Sequence, residues 1–95
     1  MSRIVTGTFT TTGTSSSLKV NVNPYQKMAT LSISGGSMNG TVILQRSYDA
    51  GVTWHNVESY TVITEKNFET PSDAFIYRLE CTVFVAGPIA YAIAQ

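Results

Sequence analysis

The run Ser47-Tyr48-Asp49-Ala50-Gly51-Val52-Thr53-Trp54 predicts a tight β-hairpin. Asp49 can accept backbone N–H bonds across a turn, as Asp and Asn side chains often do. Gly51 can adopt the positive φ that such a turn requires. Trp54 would begin the return strand, where its large ring can cover the base of the hairpin. Credible strands flank the turn at residues 41–46 and 54–58.

The fixed positions of this run follow the pattern S-x-D-x-G-x-T-W, carried here by Ser47, Asp49, Gly51, Thr53 and Trp54. The pattern resembles the Asp-box, or BNR motif, a hairpin signature best known from sialidase propellers. Because the Asp-box is a folding device, we interpret all of these residues as a structural hairpin motif, with Asp49 as a turn residue rather than a catalytic carboxylate. A propeller needs several four-stranded blades, which a chain of 95 residues cannot supply.

Alternation of apolar and polar residues predicts strands outside the hairpin as well. We expect three segments to turn these side chains toward the core: Leu18, Val20 and Val22; Ala29, Leu31 and Ile33; and Phe75, Tyr77, Leu79, Cys81, Val83 and Val85. The alternating segment 89–94 is also predicted to be a strand, because Gly87-Pro88 precedes it. Together with the Gly, Pro and Asn breaks, this pattern predicts an all-β domain over residues 1–95, a small antiparallel β-sandwich or jelly roll of roughly eight strands.

Residues 1–12 allow two interpretations. They carry five Thr and few large apolar residues, so we expect them to gain little from packing on their own domain. They form either an ordinary edge strand or an extended arm that adds to a neighbouring subunit, because exposed strands pair readily. In the second case, deleting them should leave the rest of the domain folded and weaken its association with partners.

The composition limits the classes of partner. Charged residues make up 13% of the chain and the formal net charge is zero, which argues against nucleic-acid binding because that function needs a basic surface. A weakly charged surface also suits a free monomer poorly, so we expect a homo-oligomer or a place in a larger assembly. The sequence shows no signal peptide and no apolar run of about 20 residues. We therefore expect synthesis in a cytoplasm and no membrane partner.

The sequence contains few residues suited to catalysis. His55 and Cys81 are its sole histidine and cysteine, so neither a catalytic triad nor a metal site has a credible set of residues. We therefore predict a protein that is not an enzyme and needs no cofactor. A different class stays open: exposed aromatic residues, with Tyr48, Trp54 or Tyr60 on one accessible face, would indicate a carbohydrate-binding module with a glycan ligand.

The run at residues 40–54 looks like a type seen in small tailed-phage virion proteins, which commonly carry G-T-V-x-L-x-R-S-x-D-G-G-x-T-W. Those chains then carry a Y-R-L-x-C/V-T strand and finish on a short Gly-punctuated strand that ends near Gln. Residues 77–82 and 87–95 match these later pieces. One departure is Ala50, where the pattern more often has Gly.

This resemblance implies a non-enzymatic bacteriophage structural protein located on the capsid surface of the virion. The role it favours is capsid decoration, in which a cement protein stabilises the head, and the alternative is a tail or neck component. The implied partners are the major capsid protein or other virion proteins. Symmetric self-association is the usual route to such sites.

Overall fold

The chain folds into two antiparallel β-sheets packed face to face. The computed structural model describes residues 4–19, 28–35, 39–69 and 75–95. Within these ranges it contains nine strands: β1 (Ile4–Phe9), β2 (Gly13–Thr14), β3 (Leu18–Lys19), β4 (Met28–Ser34), β5 (Asn39–Ser47), β6 (His55–Tyr60), β7 (Thr64–Glu69), β8 (Ile76–Ala86) and β9 (Ile89–Ala94). The predicted antiparallel β-sandwich is confirmed.

The first sheet has four strands in the order β1-β9-β4-β7. The second has five, in the order β2-β8-β5-β6, with β3 also pairing with β8. The long pair β5 and β8 forms the centre of the second sheet, and β6 extends it through the hairpin at residues 48–54. The hairpin loop therefore lies at one end of the sandwich.

The core lies between the sheets and is built by the predicted alternation. Side chains that are essentially inaccessible to solvent come from both sheets: Leu31, Ile33, Ile89 and Ile93 from the first, and Val42, Leu44, Tyr77, Leu79 and Cys81 from the second. Inward positions are confirmed for Ala29 and Leu18, while Val20 and Val22 lie outside the described residues. Burial of such side chains stabilises the fold by roughly 1.5–3 kcal/mol each.

The second half of β8 departs from the prediction. Val83 and Val85, expected in the core, are 48% and 65% exposed. The register explains this, because Val42 pairs with Cys81 while the adjacent Thr41 pairs with Val83, so that one residue of β8 is left over. Such a bulge reverses the faces of the residues that follow it, up to the second register shift, which lies between Asn39 and Gly40. Phe84 consequently packs against the core in their place.

β1 is an edge strand of the first sheet and pairs with β9 over its whole length, from Ile4 opposite Ala94 to Phe9 opposite Ile89. Phe9 belongs to the core and is 6% exposed. The expectation that residues 1–12 gain little from their own domain is therefore wrong for this part of the segment. With a core aromatic on β1, deletion of residues 1–12 is now expected to destabilise the domain.

Candidate functional site

The five motif residues lie in and beside the loop that joins β5 to β6. The strands pair up to Arg46 opposite His55, and Ser47 ends β5. The return strand begins at His55, one residue later than predicted. The loop makes one backbone hydrogen bond of its own, from the Val52 N–H to the Asp49 carbonyl at 3.4 Å. The other hydrogen bonds that hold the loop involve side chains.

Ser47 is the hub of the loop, and its side chain is completely buried. Its hydroxyl donates to Asp49 Oδ1 at 2.7 Å and accepts the Gly51 N–H at 2.9 Å. A buried hydroxyl without partners would cost roughly 1–3 kcal/mol. Ser47 avoids this cost by using its donor and acceptor capacity inside the loop.

Asp49 closes the turn from the other side, where its Oδ1 also accepts the Thr53 N–H at 2.9 Å. This backbone hydrogen bond, helped by those from the Ser47 and Thr53 hydroxyls, lowers the pKa of Asp49 to about 2. A general acid or base works best with a pKa near the working pH. The Asp49 carboxylate is ionised at neutral pH, and its described contacts hold the turn.

Two adjacent residues of the loop have positive φ. Gly51 has a φ of 91°, as the sequence suggested, and Ala50 has a φ of 60°. An L-residue with a side chain pays roughly 1–2 kcal/mol for this left-handed conformation, whereas Gly does not. Ala50 is the position at which the phage pattern more often has Gly, so the departure falls where glycine would relieve strain.

Trp54 ties the loop to the second sheet. Its Nε1 donates to the Gly51 carbonyl at 3.1 Å, and the Arg78 guanidinium lies 4.2 Å from the centre of its ring. Such a cation–π contact contributes roughly 0.5–2 kcal/mol. Arg78 Nε in turn donates to Gln45 Oε1 at 2.8 Å. The Trp54 side chain is half-buried.

Gln45 is a residue that the sequence reasoning missed. It is 6% exposed and uses its amide group fully, because its Nε2 donates to Asn56 Oδ1 at 3.0 Å and to Glu80 Oε1 at 3.2 Å. Arg78 and Glu80 alternate with the buried residues of β8 and so lie on its outward face. The signal that could have found this network is the strand register, since Gln45 lies opposite both Arg78 and Asn56.

The aromatic residues expected of a carbohydrate-binding surface do not share an exposed face. Tyr48 is 48% exposed and packs edge-on against Phe75, with ring centres 4.7 Å apart. Tyr60 is buried at the far end of β6, and this burial raises its pKa to about 12. With the Arg78 guanidinium over the ring of half-buried Trp54 and with Tyr60 buried, Tyr48 is the exposed one of these three side chains.

The remaining candidates are distributed over the domain. Cys81 is buried in the core, which raises the pKa of its thiol, and His55 stands beside the Tyr48 ring at 5.2 Å. Among residues 4–19, 28–35, 39–69 and 75–95, no three His, Cys, Asp or Glu side chains are grouped to hold a metal ion. In the same ranges, no helix has the length and apolar character needed to cross a membrane.

In comparisons with known proteins, no family model matches the sequence, and neither a curated protein nor a solved structure shows significant similarity to it.

Proposed function

We propose that this chain is a non-enzymatic bacteriophage structural protein that decorates the capsid and stabilises the head. The observation that carries the proposal is the hairpin at residues 47–54. Its polar side chains Ser47 and Asp49 bond to the loop itself, which supports a structural role for the motif. The same run carries the resemblance to small phage virion proteins.

The outward face of the first sheet is suited to an interface with virion proteins. On β1, β9 and β4, the side chains that alternate with the buried residues are all uncharged, and all but Ile4 and Met28 are small: Ile4, Thr6, Thr8, Ala90, Ala92, Ala94, Met28, Thr30, Ser32 and Ser34. On β7 the same face carries Glu65 and Glu69, opposite Ser32 and Met28. Covering the part of this face formed by β1, β9 and β4 removes no charge from water, so it avoids the desolvation cost that charged groups would bring. A cement protein acts by adding buried area across joints between capsid subunits.

The experiment is a measurement of copy number and position in purified phage particles. Quantitative mass spectrometry should find the chain at a ratio to the major capsid protein that approaches equality, and electron microscopy of particles labelled with a specific antibody should place it on the head. A few copies per particle, with label on the tail or neck, would support the alternative virion role. Absence of the chain from particles would contradict both roles.

A second experiment tests whether the chain stabilises the phage particle. Particles that lack the chain should release DNA at a lower temperature than complete particles, because they lose the buried area at subunit joints. Adding back the purified protein should restore the release temperature. A variant with Ala92→Lys should restore less of it, since Ala92 lies between Thr6 and Ser32 and the substitution places a charge among uncharged side chains. Equal release temperatures with and without the chain would contradict a cement role.

A further inference from the structure

The four edges of the two sheets are protected to different degrees. β7 carries Glu65, Lys66 and Glu69, and β6 carries Glu58 together with an irregular register beside Leu44. Lys66 Nζ lies 2.7 Å from Glu58 Oε2, which joins these two edges across the sandwich. At the remaining edge of the second sheet, β2 and β3 have two residues each. Charges, bulges and short strands are the devices by which proteins prevent edge pairing.

β1 has none of these devices. Its sequence Ile-Val-Thr-Gly-Thr-Phe contains no charge and no proline, and its register against β9 is regular over all six residues. Among the described residues, no strand pairs with its outer side. An edge strand leaves alternate N–H and C=O groups unpaired, and these groups can bind another extended strand.

We propose that two copies of this chain associate through their β1 edges, in antiparallel register about a two-fold axis. The two first sheets would then form one continuous sheet with four strands from each copy. This inference depends on the geometry of the edge and holds whether or not the protein decorates a capsid.

A second copy fits this edge because β1 is complementary to itself. Opposite residues in an antiparallel pair share a face of the sheet, and Ile4, Thr6 and Thr8 face outward. An axis at Thr6 keeps the faces matched, since it sets Thr6 opposite its counterpart, Ile4 opposite Thr8, and Val5 opposite Gly7. Because β1 carries no charge, self-pairing brings no like charges together. At β7, by contrast, the charged side chains of the strand would oppose the same contact.

The size of the contact sets the expected strength. A six-residue edge is smaller than the roughly 800 Å² per partner of a standard stable interface. We therefore expect a reversible dimer whose population rises with concentration, rather than an obligate one. Sedimentation velocity on the full chain, over a roughly hundredfold range of concentration, should show the shift from monomer to dimer.

A charge exchange tests the position of the axis. Thr6→Lys places two like charges opposite each other, so this variant should stay monomeric at concentrations at which the parent is dimeric. Thr6→Glu should behave in the same way, and an equal mixture of the two variants should recover the dimer. The matched control is Ser32→Lys, which lies in the same row and on the same face but two strands away, and it should dimerise like the parent.

A cysteine variant makes the test independent of any effect of charge on folding. Thr6→Cys should form an intermolecular disulfide under mild oxidation, because opposite residues across the axis have Cα atoms within bridging distance. The parent, with its cysteine buried at Cys81, and Ser32→Cys should not. A parent that stays monomeric at all concentrations overturns the proposal. So does a Thr6→Lys variant that dimerises like the parent, or a Ser32→Cys variant that cross-links as readily as Thr6→Cys.

Discussion

The hairpin at residues 47–54 and the edge strand β1 use similar polar residues in opposite ways. In the hairpin, hydroxyl, carboxylate and backbone groups bond to one another within eight residues of chain. In β1, the backbone bonds to β9 on one side, and no described strand pairs with the other side. The comparison teaches that small polar residues stabilise a loop when they are satisfied locally, whereas the outer backbone groups of an uncharged edge strand stay open to pairing with a further strand. Four substitutions test this contrast.

Phe9→Ala should have the largest effect, because it tests whether β1 is also part of the core. Phe9 is 6% exposed, and its ring centre lies 4.6 Å from that of Tyr91. We expect the free energy of unfolding to fall by roughly 3–5 kcal/mol, the usual range for a buried Phe. Urea denaturation followed by circular dichroism would measure it.

The control is Thr8→Ala on the outward side of the same strand, which should change stability by less than about 0.5 kcal/mol. Equal, small losses for Phe9→Ala and Thr8→Ala would mean that β1 is an arm resting on the domain rather than an integral strand.

Ser47→Ala should have the next largest effect, because it removes the hub of the hairpin. The Gly51 N–H would lose its acceptor and Asp49 would lose a donor. We expect a loss of roughly 1–3 kcal/mol in the free energy of unfolding, the cost of leaving such partners unsatisfied. Ser59→Ala, at an exposed position on β6, is the control and should be near neutral. A neutral Ser47→Ala would show that the other contacts of the loop, such as the one from the Thr53 N–H to Asp49, are sufficient to hold it.

The sequence was sufficient for the parts of this fold that depend on local regularity. The alternation in β4 and in the first half of β8 placed Leu31 and Leu79 in the core correctly. It failed at Val83, because the bulge that reverses the faces is set by pairing with Thr41 on a different strand. Periodicity along one strand contains no information about such a shift.

The same distinction between local pattern and strand pairing applies to the hairpin and the residues around it. The positive φ of Gly51 and the acceptor role of Asp49 follow from residue types within the loop. The contact of Arg78 with Trp54 and the burial of Gln45 depend on which strands are neighbours. The loop geometry could thus be predicted from the sequence, whereas its attachment to the sheet required the topology.

Asp49→Asn tests the electrostatic part of the hairpin through pH. Hydrogen bonds hold the pKa of the folded carboxyl at about 2, below its ordinary value of 3.8. The folded protein therefore binds this proton at lower pH than the unfolded chain does, and the stabilisation is present above about pH 4 and lost as the pH falls toward about 2. Urea midpoints over this range should decline less in Asp49→Asn than in the parent. Parallel declines would show that other carboxyl groups dominate the acid response.

Ala50→Gly should have the smallest effect and the opposite sign. Ala50 has a φ of 60°, and glycine would relieve the roughly 1–2 kcal/mol that a side chain costs in this conformation. Glycine also gives the unfolded chain more freedom, which offsets roughly 0.4–1 kcal/mol of that gain. We expect a net stabilisation of about 0.5 kcal/mol, measured as a higher urea midpoint with an unchanged slope. Ala86→Gly, in a strand and without positive φ, is the matched control and should destabilise. A loss of stability in Ala50→Gly would show that the turn tolerates the alanine without strain, and that the local contacts of the hairpin outweigh its backbone preference.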